Sequence, residues 1–229
     1  MTTSLPTLLD GCPQSPLFST YGMSTASYDN EGRTVDAFLW VVRHCPAMAT
    51  AVLGRVPEGN VAAYPRPTMP HHGERPTPDA IITDNIGGIC IEAKIGPNKI
   101  DHAQCSNYRR ACVEYGIEGL LTISNETAVN LPLDEPRHAH VPWARIVAEA
   151  QWLAATDDTV DACVSEFVAY AASGKVGINE GPVLPWAETW SHAASIPDEA
   201  QRDVLLDAVR KMRELSGATF WEPRGIRSS

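Results

Sequence analysis

The chain has 229 residues, 44% of them hydrophobic and 20% charged, a composition that supports a buried core and excludes wholesale disorder. Its 18 Lys and Arg stand against 28 Asp and Glu, a formal charge of −10, which excludes a basic coat for binding nucleic acid along its length. The deficit is uneven: from Arg66 to Arg110 six basic residues face five acidic ones, and the rest of the chain carries −11.

No apolar run reaches the ~18–20 residues of a membrane-spanning helix. Met1 to Cys12 lacks the basic and apolar regions of a secretory signal, so the expectation is a cytoplasmic protein without a membrane partner. The six cysteines show no C-x-x-C spacing and read as reduced, buried thiols.

Residues 1–28, rich in Ser, Thr and Pro, read as an arm. Asp29 or Asn30 then caps a helix with Glu31 in its first turn, where the helix dipole favours an acid. Val35, Phe38, Leu39 and Val42 form its apolar stripe, Pro46 interrupts it, and Ala47–Leu53 predicts a second short helix. Residues 57–78 hold six prolines and read as a loop with room for a short strand at Val61–Tyr64. Ala80–Thr83 and Ile89–Ile95 predict a hairpin turning through Asp84–Gly88. Gly96-Pro97 is expected to open a helix running to about Tyr115. A buried strand at Gly119–Ser124 follows, then a strand option at His138–Val141. Helices are expected at Trp143–Ala155, Val160–Ala172 and Glu199–Leu215. This order describes an α/β sandwich around a mixed central sheet, with a helical extension over residues 156–229 that offers a cap or an oligomer interface.

Chemistry concentrates in two short runs, Pro78-Asp79 and Ile91-Glu92-Ala93-Lys94. Strand alternation puts Cys90, Glu92 and Lys94 on one face, opposite Ile89, Ile91 and Ala93. Charges inside a strand fit for burial need partners, because an isolated buried charge costs several kcal/mol. Asp79, opening the neighbouring strand, is close enough to be one, and two carboxylates held together invite a divalent cation.

Pro78-Asp79, the 13-residue step to Glu92, and Glu92-Ala93-Lys94 resemble the PD-(D/E)XK nuclease superfamily, restriction-endonuclease-like in fold. Glu31 sits where many members carry an extra metal-binding Glu, and Gln104 with Tyr108 matches the Q-x-x-x-Y pattern of a large subset. The resemblance covers about residues 29–155 and implies a metal-dependent phosphodiester hydrolase, most simply a DNA endonuclease, with RNA as substrate left open. It implies that Asp79, Glu92 and the carbonyl of Ala93 ligate Mg²⁺ or Mn²⁺, that Glu31 assists a second metal, that Lys94 serves the attacking water, and that Gln104 holds that water or a backbone phosphate. Tyr108, Lys99, Arg109 and Arg110 would then face nucleic acid, Tyr108 by stacking on a base or else bonding to Gln104, although two adjacent arginines also fit a plain solvated helix face. By fold analogy the role is defence against foreign DNA or phage biology, as a homodimer or a subunit of a larger complex.

A competing reading keeps the fold as a non-catalytic scaffold or interaction subunit, motivated by the acidic exterior. A small-molecule phosphodiester or nucleotide hydrolase is a third. His71-His72 with His102 and Cys105 offer zinc donors at a spacing that is not diagnostic, and loop histidines are usually solvated. No G-x-S-x-G, P-loop or G-x-G-x-x-G occurs.

Overall fold

The structure, a computed structural model, describes residues 5–10, 30–127, 129, 137–156, 162–172, 178, 196–215 and 220. In chain order the elements are α1 (Leu5–Leu9), α2 (Asn30–His44), α3 (Pro46–Leu53), β1 (Ala62–Pro65), β2 (Ala80–Thr83), β3 (Gly88–Ala93) and α4 (His102–Tyr115). They continue with β4 (Gly119–Ser124), β5 (Arg137–Pro142), α5 (Trp143–Thr156), α6 (Ala162–Ala171) and α7 (Glu199–Leu215). The five strands form one mixed sheet in the order β1-β2-β3-β4-β5. β1, β2 and β3 meander antiparallel, whereas β3, β4 and β5 run parallel. This is the mixed α/β architecture the element order predicts.

Strand parity divides the core. Ile82, Ile89, Ile91, Ala93, Leu121, Ile123 and Val141 face α2, α3, α5 and α6, while Ile81, Cys90 and Leu120 face α4. The expected stripe of α2 is buried in full, with Val35, Phe38, Leu39 and Val42 all in the first cluster. Phe38 meets Trp143 of α5 edge-on at 5.8 Å and Phe167 of α6 at 6.5 Å. The described part of the 156–229 stretch contributes α6 and α7, and its Val164, Phe167, Val209 and Phe220 join this same cluster. Within the expected arm, α1 sends Leu9 into the α4 side, and the cap expected at Asp29 lies outside the described residues. No described helix is long and apolar enough to cross a membrane.

One expectation is corrected. The helix after β3 opens at His102, not at Gly96-Pro97, because Asp101 is its N-cap: the carboxylate accepts from Ala103 N at 2.8 Å and Gln104 N at 3.3 Å. Residues 96–101 form a connecting turn, closed by Asn98 N donating to Ile95 O at 3.3 Å. The helix ends where Gly116 adopts a left-handed φ of 68°.

The β2–β3 turn is held by an ionic clamp. The Asp84 carboxylate accepts from Glu58 N (2.8 Å), Ile86 N (3.0 Å) and Gly87 N (3.1 Å), and pairs with the Arg55 guanidinium in a fork. Arg55 also reaches Glu118 Oε1 at 2.7 Å, so three segments meet on one cation. Although its burial opposes ionisation, Arg55 and these N–H groups hold the Asp84 carboxyl well below the ordinary aspartate range. A depressed folded pKa contributes stability above the unfolded value near ~4, and that stability is lost as pH falls. Asp84→Asn is therefore expected to cost about 2 kcal/mol at pH 7. Urea unfolding should show a lower midpoint with unchanged slope, and the gap to the parent should close as pH drops below about 4; an unchanged midpoint at pH 7 would refute the clamp.

Candidate metal centre

The sheet delivers its acidic groups to one end. Asp79 immediately precedes β2, Glu92 is the penultimate residue of β3, and the two strands are antiparallel neighbours. Asp79 Oδ2 accepts from Ala93 N at 2.8 Å, which locks its carboxylate against the end of β3. Arg66, just past β1, donates its backbone N–H to Asp79 O at 2.9 Å and fixes the start of β2 from the other side.

Glu31 arrives from the first turn of α2. Its Oε2 accepts from Ile95 N at 3.1 Å, and its Oε1 accepts from Lys94 Nζ at 3.2 Å. Lys94 also donates to Ala93 O at 3.0 Å and lies 2.7 Å from Glu92 Oε1. Trp143, fully buried at the start of α5, donates its indole N–H to Lys94 O at 2.9 Å and anchors the lysine backbone. The structure thus brings together Asp79, Glu92, Lys94, Glu31 and the Ala93 carbonyl, in a group with three carboxylates and one ammonium.

Glu92 is 1% exposed, and its Oε1 is paired with the Lys94 ammonium. Burial, followed by repulsion from Asp79, pushes its pKa up to about 7, against the pull of Lys94 and Tyr108. Burial also raises Asp79, with the Ala93 N–H and the Lys94 charge opposing it. For Lys94 burial disfavours the charge, but Glu92, Asp79 and Glu31 outweigh it and hold the ammonium above the ordinary lysine range. Surplus negative charge and hard oxygen donors suit a divalent cation such as Mg²⁺ or Mn²⁺.

The remaining expected residues divide. Gln104 Nε2 donates to Tyr108 OH at 2.7 Å, and Tyr108 OH donates to Thr77 O at 3.0 Å, so the pair stitches α4 to the segment leading into Asp79. Tyr108 is 2% exposed and presents no ring face for base stacking, a correction that follows from its place in the α4 core. Arg109 is likewise buried at 7% exposed and is not offered to phosphate at the surface; the helix turns it toward the protein, whereas Arg110 is exposed and paired with Asn107. Lys99 is exposed two residues before the α4 cap.

Three contributors escaped the sequence reading. Trp143 entered only as the start of an expected helix, and Arg66 only as charge. The polar row beside Glu92 was the third: strand pairing aligns Glu92 with Thr122 and His140. Thr122 Oγ1 lies 3.2 Å from His140 Nδ1 and donates to Ala139 O at 3.1 Å. Burial lowers the His140 pKa.

A scan against protein-family models found no match to the chain, and neither did searches of curated proteins and of solved structures. Function has to be argued from the site itself.

A carboxyl whose folded pKa is raised stabilises the fold below its unfolded value near ~4.3, and that contribution is lost as pH rises through about 7. The ionised form of Glu92 should thus cost the cation-free protein on the order of 3 kcal/mol at pH 8. In EDTA, Glu92→Gln is expected to melt higher than the parent at pH 8, with the advantage gone by pH 5. Mg²⁺ or Mn²⁺ should raise the Tm of the parent only. A variant less stable than the parent at pH 8 would mean that Lys94 already compensates the buried charge.

Proposed function

We propose that the protein is a metal-dependent nuclease that hydrolyses phosphodiester bonds, with DNA as the substrate and endonucleolytic cleavage as the mode. The observation that carries this reading is the convergence of Asp79, Glu92 and Lys94 at one end of the sheet, with Glu31 closing the group. The order of elements supports it: a helix bearing Glu31, an antiparallel three-strand meander with Asp79 just before β2, Glu92 on β3 and Lys94 just after it, a helix bearing Gln104 and Tyr108, then a parallel strand. That order agrees with the restriction-endonuclease-like core implied by the PD-(D/E)XK resemblance.

Asp79 and Glu92, with Glu31 beside them, would hold Mg²⁺ or Mn²⁺, which supplies Lewis-acid polarisation of the phosphate and a more acidic bound water. Lys94 remains protonated among its carboxylates, so its role is to orient the attacking water and to offset the charge that builds on phosphorus, rather than to act as a base. Trp143 keeps the Lys94 backbone from shifting along the strand end. The Ala93 carbonyl, implied by the resemblance as a ligand, accepts from Lys94 Nζ and so helps to place the ammonium. Gln104 and Tyr108 fix the approach to Asp79 through Thr77. Lys99 and Arg110 remain the exposed cations for phosphate contact near α4.

Incubation with supercoiled plasmid and with RNA, each in Mg²⁺, Mn²⁺ or EDTA, tests the proposal. Cleavage is expected only with the cation. Lys94→Ala should lose at least ~10²-fold in rate, the size typical of removing one electrostatic stabiliser, while keeping its melting temperature within a few degrees. Cleavage confined to RNA would reassign the substrate. Cation binding without hydrolysis of any polynucleotide would favour the non-catalytic scaffold, and full activity in Lys94→Ala would remove the PD-(D/E)XK-type assignment.

A further inference from the structure

A second cluster of ligating side chains lies where the β1–β2 loop meets the last turn of α4. His71 Nδ1 is 2.5 Å from Glu114 Oε2, and the adjacent His72 ring stands 4.4 Å from that of His71, centroid to centroid. One ligating atom from each of His71, His72 and Glu114 falls within 4.8 Å of the others. His102 and Cys105, the other zinc donors considered from the sequence, do not belong to this group.

The surrounding contacts hold these donors in place independently of one another. His71 and Glu74 exchange backbone hydrogen bonds of 2.9 and 2.8 Å, closing a tight turn around His72. Tyr115 OH donates to Pro70 O at 2.7 Å, pinning the loop to the same turn of α4 that carries Glu114. Met69, fully buried, bonds through its N–H to Pro76 O at 2.8 Å. His72 takes a φ of 45°, a backbone conformation that costs a non-glycine residue roughly 1–2 kcal/mol unless its surroundings impose it.

Two imidazoles and one carboxylate are the donor set of three-ligand zinc sites, with metal–ligand bonds of about 2.0–2.2 Å. Ligand atoms on a tetrahedral zinc are roughly 3.3 Å apart, a spacing that lies between the 2.5 Å His71–Glu114 contact and the 4.8 Å within which all three donor atoms fall. Magnesium prefers oxygen donors and retained water, whereas imidazole favours zinc and its neighbours in the transition series.

We propose that His71, His72 and Glu114 bind a zinc ion, with the fourth position open to solvent beside the exposed His72. The ion fastens the proline-rich loop to α4. Tyr108 makes the second attachment through Thr77, two residues before Asp79, so the segment entering β2 is held to one helix at both ends. The site is separate from the carboxylate group at the sheet end and does not rest on the nuclease reading.

The full-length protein, stripped with EDTA and dialysed, should be titrated with ZnCl₂ in excess Mg²⁺ against a chromophoric chelator, and its melting followed with and without zinc. One equivalent is expected to bind and to raise Tm. His72→Ala and Glu114→Gln should each weaken zinc binding by more than about tenfold and abolish the rise, since each removes one of three ligands. Both should retain the parent's far-ultraviolet circular dichroism. Asp79→Asn should bind zinc like the parent, and X-ray absorption at the zinc edge should report two imidazoles. Zinc binding unchanged in His72→Ala, binding lost only in Asp79→Asn, or no saturable binding at all would each overturn the site.

Discussion

The charge of Glu92 is the constraint around which this end of the molecule is built. A carboxylate on a central strand, 1% exposed, loses several kcal/mol of hydration, and an ion pair with one lysine recovers only part of that. The shortfall appears as the upward shift of its pKa, to which the nearby Asp79 adds. Natural cores seldom keep such an arrangement without a compensating partner. A divalent cation at Asp79 and Glu92 would relieve both burial and repulsion, and this electrostatic argument underlies the proposed function.

The fold places that charge by ordinary means. β3, β4 and β5 run parallel and finish at the same edge, where Asp79 enters β2 in the opposite sense. Open α/β sheets place their ligands beyond the carboxyl ends of parallel strands, because there the connecting segments diverge and leave a crevice. The Asp84–Arg55 clamp at the far end of the hairpin fixes its register, and with it the face on which Glu92 emerges. Trp143 belongs to both the hydrophobic layer and the polar end: its ring packs on Phe38 while its N–H holds Lys94 O. Core packing on the α2 side and geometry of the acidic group are therefore coupled through one side chain.

The two candidate cation sites differ in hardness and share a helix. The sheet end offers carboxylates, and the β1–β2 loop offers imidazoles with Glu114. α4 contacts the approach to the first through Tyr108 and contributes a ligand to the second through Glu114. Residues 66–79 are thereby tied to one rigid element on the way into the strand that Asp79 opens.

Periodicity and short-range chemistry were legible in the chain alone. The i, i+3, i+4, i+7 stripe of α2, the hairpin around Asp84, and the Asp79–Glu92–Lys94 spacing across that hairpin are local patterns, and local patterns survive into the fold because backbone geometry enforces them. Where α4 begins was misplaced because the capping strength of Asp101 outweighed the helix-opening preference of Pro97, a competition between two local signals. The burial of Tyr108 and Arg109, the indole hold on Lys94, the polar row of Thr122 and His140, and the meeting of His71 and His72 with Glu114 were decided by tertiary structure. These depend on which elements pack together across long stretches of chain, 18 positions from Thr122 to His140 and 49 from Lys94 to Trp143, a relation that side-chain sequence does not encode one residue at a time.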